Sequence, residues 1–234
     1  MTPFRNESKE DFILRAIDAG ISSDEAVRLA EQVYSIEQIA EVTVDIDTGI
    51  DKISLVGSPA IEHDWVAMNK VELKYADEDK QIITGPVLIP EQLIYRVNQS
   101  TNEPYYQYFT ADTIRTIVEK YFMEHKQDNV NLEHEYPVKS VCVFESWLIE
   151  DSDNDKSKAL GYNLPKGTWM VSMKVNNQEV WQDLVKKGTL NGFSIEGPFV
   201  IKQSKLSDDV ILKAILDLLA QETEDDDIDI SIED

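Results

Sequence analysis

Cysteine is almost absent from this chain. Cys142 is the only one, which excludes an internal disulfide and fits a reducing compartment. It lies within the apolar run 141–144, so we expect a core residue and not a nucleophile. Histidine is also scarce, with 3 in 234 residues. Any chemistry that needs an imidazole must therefore use His63, His125 or His134.

Basic residues are the second shortage. Lys and Arg total 22 against 45 Asp and Glu, which gives a net charge of -23. Such a surface repels phosphate, so neither nucleic acid nor an anionic membrane is the expected partner, and basic protein surfaces are more plausible neighbours. No apolar run approaches the roughly 20 residues that span a bilayer. The N-terminus also lacks the apolar centre of a signal peptide, and we expect a soluble protein that is not secreted by that route.

The hydrophobic patterning predicts one main domain with additions at both ends. Residues 1–40 show two apolar stripes of helical period and are expected to form a helical hairpin. Residues 41–203 change to a period of two and are expected to form the main β-rich domain. A helix is predicted over 204–221. Eight of the thirteen residues in 222–234 are acidic, and this tail is expected to be disordered.

The predicted fold class is α+β, with more strand than helix. One helix is expected to begin with Thr110 as its capping residue, and another to cover about 177–187. The acidic spacing at 151–155 is similar to a calcium loop but lacks the glycine and the closing glutamate of an EF-hand, so no metal or other cofactor is predicted. Strands are predicted at 42–46, 53–56, 65–68, 82–83, 87–89, 105–109, 130–132, 138–150, 169–175 and 193–201.

His134 and Ser194 are the candidates for chemistry because each lies at or near the end of a predicted strand. A serine hydroxyl needs a neighbouring base, and histidine suits that task. Gly192 and Gly197 flank Ser194, so that backbone can approach a substrate there. A surface histidine and a turn serine are the simpler alternatives. His63 in a loop and His125 after a helix are more readily explained as solvated or structural residues.

Two acids are candidates to orient His134. Glu196 lies two residues after Ser194 and therefore projects from the same face of a strand. Glu145 lies on the strand that follows His134 and competes for the role, although an ordinary solvent-facing acid beside Trp147 would explain it equally well.

Several separated motifs together resemble one protein family. The segments 129–134, 143–150, 165–175 and 192–197 occur in the order found in the prohead (capsid maturation) serine proteases of tailed phages. The XkdF-like branch is the most similar, and 53–61 is typical of it. The resemblance covers about residues 45–200 and extends to the fold of the herpesvirus assembly protease. It implies a compact β-barrel core wrapped by helices, with His134 as the base and Ser194 as the nucleophile.

The third member of a triad is less well matched. The resemblance implies a His or an acid on a strand after the serine, within a motif similar to 53–56. Here that motif lies before His134, and Lys52 occupies the corresponding position. Asp51 is adjacent and would point to the opposite face of a regular strand. Glu196 is therefore ranked first, Glu145 second and Asp51 third, and a dyad without an acid stays open.

The resemblance also implies a biological role. The expected activity is that of a serine endopeptidase, which would process the scaffold protein, the major capsid protein precursor and itself within the assembling procapsid in the host cytoplasm. Self-association is left open. The alternative is a catalytically silent procapsid or scaffold component that keeps the protease fold.

Overall fold

The structure is a computed structural model that describes residues 3–36, 38–57, 74–77, 80–98, 100–190 and 192–204. Its helices are α1 (Lys9–Asp18), α2 (Ser23–Val33), α3 (Ala111–Met123) and α4 (Lys156–Ala159), with a π-helical segment at Val180–Val185. Its strands are β1 (Ile39–Thr43), β2 (Lys52–Val56), β3 (Lys74–Asp77), β4 (Ile82–Leu88), β5 (Ile94–Val97), β6 (Pro104–Phe109), β7 (Val130–Leu132), β8 (Tyr136–Pro137), β9 (Val141–Leu148), β10 (Trp169–Val175), β11 (Gly192–Glu196) and β12 (Val200–Ser204).

These strands pair into three four-stranded sheets. The first has the order β12-β1-β6-β5, the second β3-β4-β10-β9 and the third β11-β2-β7-β8. Most pairs are antiparallel, whereas β1 with β6 and β2 with β7 are parallel. The mixed α+β class that the sequence predicts is present. The closed barrel is not confirmed, because the pairings of the described strands give three separate sheets.

The largest core joins the second and third sheets to α3. Trp169 on β10 is fully buried and contacts Tyr121 of α3 with ring centroids 5.5 Å apart. Its indole Nε1 donates to Ser146 Oγ at 2.8 Å, so the polar edge of the ring is satisfied inside the core. Apolar side chains of β2 and β11, including Ile53 and Phe193, belong to the same cluster. The third sheet is therefore anchored to this core by one of its faces.

The N-terminal hairpin packs on the first sheet. Ser8 accepts from Asp11 N at 3.0 Å and thereby caps α1. Phe12 of α1 and Leu29 of α2 form a second cluster with Tyr106 and Tyr108 of β6. The predicted segment 204–221 and tail 222–234 lie almost entirely outside the described residues, as does the predicted strand 65–68.

Several predicted strands were wrong in extent. The single strand expected over 193–201 is two strands in different sheets, β11 and β12. Pro198 lies between them, and a residue without an N–H removes one hydrogen bond from a ladder. Conversely, the segments predicted as 82–83 and 87–89 fall on one strand, β4, which runs through Gly85 and Pro86 and leaves Val87 without a partner on β10. β5 was not predicted.

The loop 45–51 is packed tightly against the end of β11. Gly49 N donates to Pro198 O at 2.9 Å, and Asp51 N donates to Glu196 O at 2.7 Å. A Cβ added at Gly197 would lie 1.9 Å from Gly49 O, so this position accepts only glycine without movement. The sequence suggested that Gly197 leaves room for a substrate. In the structure, Gly197 instead allows the two backbone segments to pack closely.

We predict that Gly197→Ala destabilises the protein by about 1–3 kcal/mol, the usual cost of overpacking. Since φ of Gly197 is not positive, the loss would come from the contact with Gly49. The measurement is the free energy of unfolding by denaturant. Gly188→Ala is the comparison for backbone strain without a steric contact, because φ is 70° there and a Cβ would meet nothing within 4 Å. Wild-type stability of Gly197→Ala would contradict the close contact.

Candidate active site

One face of the third sheet is polar and the other apolar. Ser194 of β11 lies opposite Ser54 of β2, which in turn lies opposite Asn131 of β7. Two residues along, Glu196 lies opposite Lys52. Directly paired residues share a face, so these five polar side chains point to the same side. The alternate positions carry the apolar side chains of the core, among them Ile53, Leu55, Val130 and Phe193.

His134 reaches this polar face from a tight turn between β7 and β8. Glu135 N donates to Leu132 O at 3.0 Å across the turn. Its two central residues, Glu133 and His134, have φ of 50° and 62°. A left-handed backbone costs residues other than glycine about 1–2 kcal/mol each. The turn therefore holds His134 in an unfavourable conformation, as is common at functional sites.

Glu133 ties this turn to the end of β2. Its carboxylate Oε1 accepts from Gly57 N at 2.8 Å, and its own N–H donates to Leu55 O at 3.0 Å. These two bonds fix the hairpin that carries His134 relative to the strand that carries Ser54.

The imidazole of His134 has two partners on the polar face. Its Nδ1 lies 2.8 Å from Glu196 Oε1 and 3.0 Å from Ser54 Oγ. An ionised carboxylate can only accept, so Nδ1 must carry the hydrogen for the contact with Glu196. This tautomer leaves a lone pair on Nε2. The side chain is 35% exposed, and the ring is open to solvent on part of its surface.

The surroundings of Glu196 favour its ionised form. Burial raises the pKa of this carboxyl, but the hydrogen bonds from Asn131 and His134 and the charge of Lys52 outweigh it and hold the pKa below its usual range. Asn131 Nδ2 donates to Oε1 at 2.9 Å, while Lys52 Nζ lies 3.5 Å from Oε2. The acid is thus held as an anion whose role toward His134 is to accept.

Ser194 lies on the same face but does not contact His134 directly. It is 9% exposed, and among the described residues the side-chain partners of the His134 ring are Ser54 and Glu196. Ser194 is one strand away from Ser54, beyond the ring's present contacts.

The other predicted acids lie elsewhere. Glu145 belongs to the second sheet, where its carboxylate accepts from Ser172 Oγ at 2.7 Å and pairs with Lys156. The hydrogen bond from Lys156 is the main cause that lowers the pKa of Glu145. Asp51 pairs with Lys126 at 2.9 Å. The structure brings neither acid to His134.

The remaining histidines are placed apart from this site or outside the described residues. His125 follows the end of α3, with φ of 55° and its N–H bonded to Phe122 O. His63 lies outside the described residues. Within the ranges that are described, no cluster of three or more His, Cys, Asp or Glu side chains is placed to hold a metal ion.

Sequence reasoning missed Ser54 and Asn131. Both are buried, at 0% and 2% exposure, and both alternate with apolar neighbours along their strands. That alternation was a readable signal for one polar face. Their closeness to His134 depends on the pairing of β2 with β7 and β11, which a single strand does not encode.

The chain matches a known protein family. The family model described as "Putative phage serine protease XkdF" matches residues 69–201, more than half of the chain. The chain belongs to this family. His134, Ser194 and Glu196 all lie within the segment that matches the XkdF family, whereas Ser54 precedes it. Neither the curated proteins nor the solved structures contain a match to the chain. No helix among the described residues is long and apolar enough to cross a membrane.

The lowered pKa of Glu196 predicts how stability depends on pH. A carboxyl whose pKa is lower in the folded than in the unfolded state stabilises the fold above its unfolded pKa, and this contribution disappears as pH falls through the folded value. We expect the stability difference between wild type and Glu196→Gln to be largest near neutral pH and to shrink below about pH 4. Denaturant unfolding at a series of pH values measures it, and a constant difference would contradict the ion contacts.

Proposed function

We propose that this chain is a serine endopeptidase in which Ser194 is the nucleophile, His134 the base and Glu196 the orienting acid. The observation that carries the proposal is the 2.8 Å contact from His134 Nδ1 to Glu196 Oε1, on the strand face that also presents Ser194. An acid on Nδ1, with Nε2 left as the basic nitrogen, is the division of roles that a serine triad requires. The family match supports the same class of chemistry.

Two serines lie near the imidazole, and the contacts favour Ser194 as the nucleophile. Ser54 approaches Nδ1, the nitrogen that already serves Glu196, and its side chain is fully buried. A nucleophile must be reached by the substrate and must give its proton to Nε2. Ser194 is 9% exposed on the outer strand of the pair, against 0% for Ser54, and its hydroxyl has to approach Nε2 for the reaction. Catalytic hydrogen bonds often tighten only when substrate binds.

The reaction then proceeds in two balanced steps. Ser194 Oγ forms a bond to the scissile carbonyl carbon while its proton passes to His134 Nε2, and the imidazolium gives that proton to the departing amine as the carbon–nitrogen bond breaks. In the second step water oxygen forms a bond to the acyl carbon while its proton passes to His134, and the ring returns that proton to Ser194 Oγ as the ester bond breaks. Throughout, the Glu196 anion stabilises the positive charge that the ring carries in each transition state.

The substrates we propose are the phage scaffold protein, the major capsid protein precursor and the protease itself, cleaved within the assembling procapsid. The family resemblance supports this assignment. The net charge of -23 is compatible with recognition of basic segments in these proteins.

A catalytically silent assembly component is the second candidate. The observation in its favour is that, among the described residues, the side chains of Ser194 and His134 form no direct hydrogen bond with each other. The retained acid, imidazole and serine on one face favour the enzyme, and chemical labelling separates the two candidates.

We predict that a fluorophosphonate probe labels wild-type protein at Ser194 and that Ser194→Ala and His134→Ala are both labelled negligibly. The hydroxyl and the base act as one unit, so their losses do not add. Mass spectrometry of the labelled peptide identifies the site. Cleavage of scaffold or capsid precursor by Ser194→Ala would contradict the assignment, and a folded wild type that resists the probe would favour the silent component.

The two glutamates give a matched pair of variants. Glu196→Gln keeps the shape of the side chain but removes the anion that holds the tautomer, and should lower turnover by roughly 10²- to 10⁴-fold. Glu145→Gln removes the charge that pairs with Lys156, away from His134, and should leave turnover within about twofold of wild type while costing some stability. Precursor cleavage or probe labelling measures both. A severe defect confined to Glu145→Gln would reverse the assignment.

A further inference from the structure

Ser54 is a buried hydroxyl that the proposed reaction does not use. It is 0% exposed in the middle strand of the polar face, and its Oγ lies 3.0 Å from His134 Nδ1. Glu196 Oε1 lies 2.8 Å from the same nitrogen. Two oxygens therefore share one ring nitrogen, and their hydrogens must be assigned together.

The hydrogen count gives one consistent arrangement. The Glu196 anion cannot donate, so the hydrogen of this contact is on Nδ1. Ser54 Oγ then faces an N–H and must accept from it, which makes the hydrogen bond of Nδ1 three-centred. The hydroxyl hydrogen of Ser54 consequently needs an acceptor of its own.

Asn131 carries the acceptor that is left without a donor. It lies directly opposite Ser54 in the parallel pairing of β7 with β2, and its Nδ2 already donates to Glu196. Its Oδ1 is buried and has no partner within the described residues, so Ser54 does not donate to it in this structure. A buried amide oxygen without a donor costs about 1–3 kcal/mol, which favours a hydrogen bond from the hydroxyl of the residue paired with it.

We propose that Ser54 is a positioning residue, which holds His134 through Nδ1 and, after a shift of its side chain or that of Asn131, donates its own hydrogen to Asn131 Oδ1. This inference rests on the proposed function, because it gives Ser54 a role in presenting Nε2 to Ser194. Two acceptors on Nδ1 fix the plane of the ring more firmly than one, and a chain from imidazole through Ser54 and Asn131 back to Glu196 closes on itself. This closed set of hydrogen bonds ties His134 and Glu196 to β2 and β7.

The test is the rate at which a fluorophosphonate reacts with Ser194, followed from acidic to alkaline pH. In this reaction a phosphorus–oxygen bond forms, fluoride leaves, and the hydroxyl proton passes to His134. Ser54→Ala should lower the rate at neutral pH about 3- to 10-fold, the equivalent of one ordinary hydrogen bond. It should also move the acid limb of the profile to lower pH, because the imidazolium loses an acceptor. A merely structural hydroxyl would leave that limb in place.

Ser172→Ala is the matched control. Ser172 is also a buried strand serine, at 1% exposure, whose Oγ bonds to Thr84 and Glu145 in the second sheet. Its loss should lower the free energy of unfolding by an amount similar to that of Ser54→Ala but leave the rate and the acid limb unchanged. Equal pH profiles for wild type and Ser54→Ala would overturn the proposal.

A measurement on the wild type avoids dependence on any variant. Nuclear magnetic resonance of the imidazole should show the hydrogen on Nδ1 in the neutral ring, together with an exchange-protected Ser54 hydroxyl close to Asn131. A neutral ring protonated on Nε2 would overturn the positioning role. If Ser194 were not labelled although these resonances were present, the result would count against the proposed function and not against the positioning role. Labelling of Ser54 would contradict both the proposed function and the positioning role.

Discussion

The antiparallel register of β11 on β2 is the constraint on which the site depends. It sets Ser194 against Ser54 and Glu196 against Lys52. A slip of one residue would turn every side chain of β11 to the other face, which would bury Ser194 and Glu196 in the apolar core. The backbone contacts of Gly49 and Asp51 with the end of β11 resist such a slip. The glycine at 197 is part of this arrangement, because any side chain there would meet Gly49 O.

His134 depends on a second constraint, the turn from β7 to β8. Two successive left-handed residues that are not glycine are unfavourable, and bonds from Glu133 to Leu55 and Gly57, at the end of β2, hold them in place. The strain is offset by the rigidity of the hairpin and by the contacts of the imidazole with Glu196 and Ser54. A more relaxed turn would leave the ring free to point away from the sheet. The left-handed turn thus serves to place the imidazole of His134 against Glu196 and Ser54.

The sequence could predict elements with a strong local pattern and could not predict pairings. β7 and β10 have the bounds that alternation and β-branched content indicate, and the two-residue spacing correctly places Ser194 and Glu196 on one face. The prediction of one strand over 193–201 was wrong because the strand-like sequence pattern continues through Pro198, whereas the backbone passes there from one sheet to another. The two-residue spacing ranked Glu196 above Glu145, but the sequence could not exclude Glu145 because it does not give the strand order. Only the sheet order shows that Glu145 belongs with Ser172, and that Ser54 lies beside His134 Nδ1.

The charge of the whole chain acts against an anionic Glu196, and local contacts decide the outcome. A net charge of -23 makes the average potential unfavourable for another carboxylate. Exposed charges farther away than about 8–10 Å are largely screened at physiological salt, whereas Asn131, His134 and Lys52 lie within 3.5 Å of the Glu196 oxygens. Lys52 is one of these local contacts. Here it keeps the acid on the neighbouring strand ionised, and the acid in turn keeps the hydrogen of His134 on Nδ1.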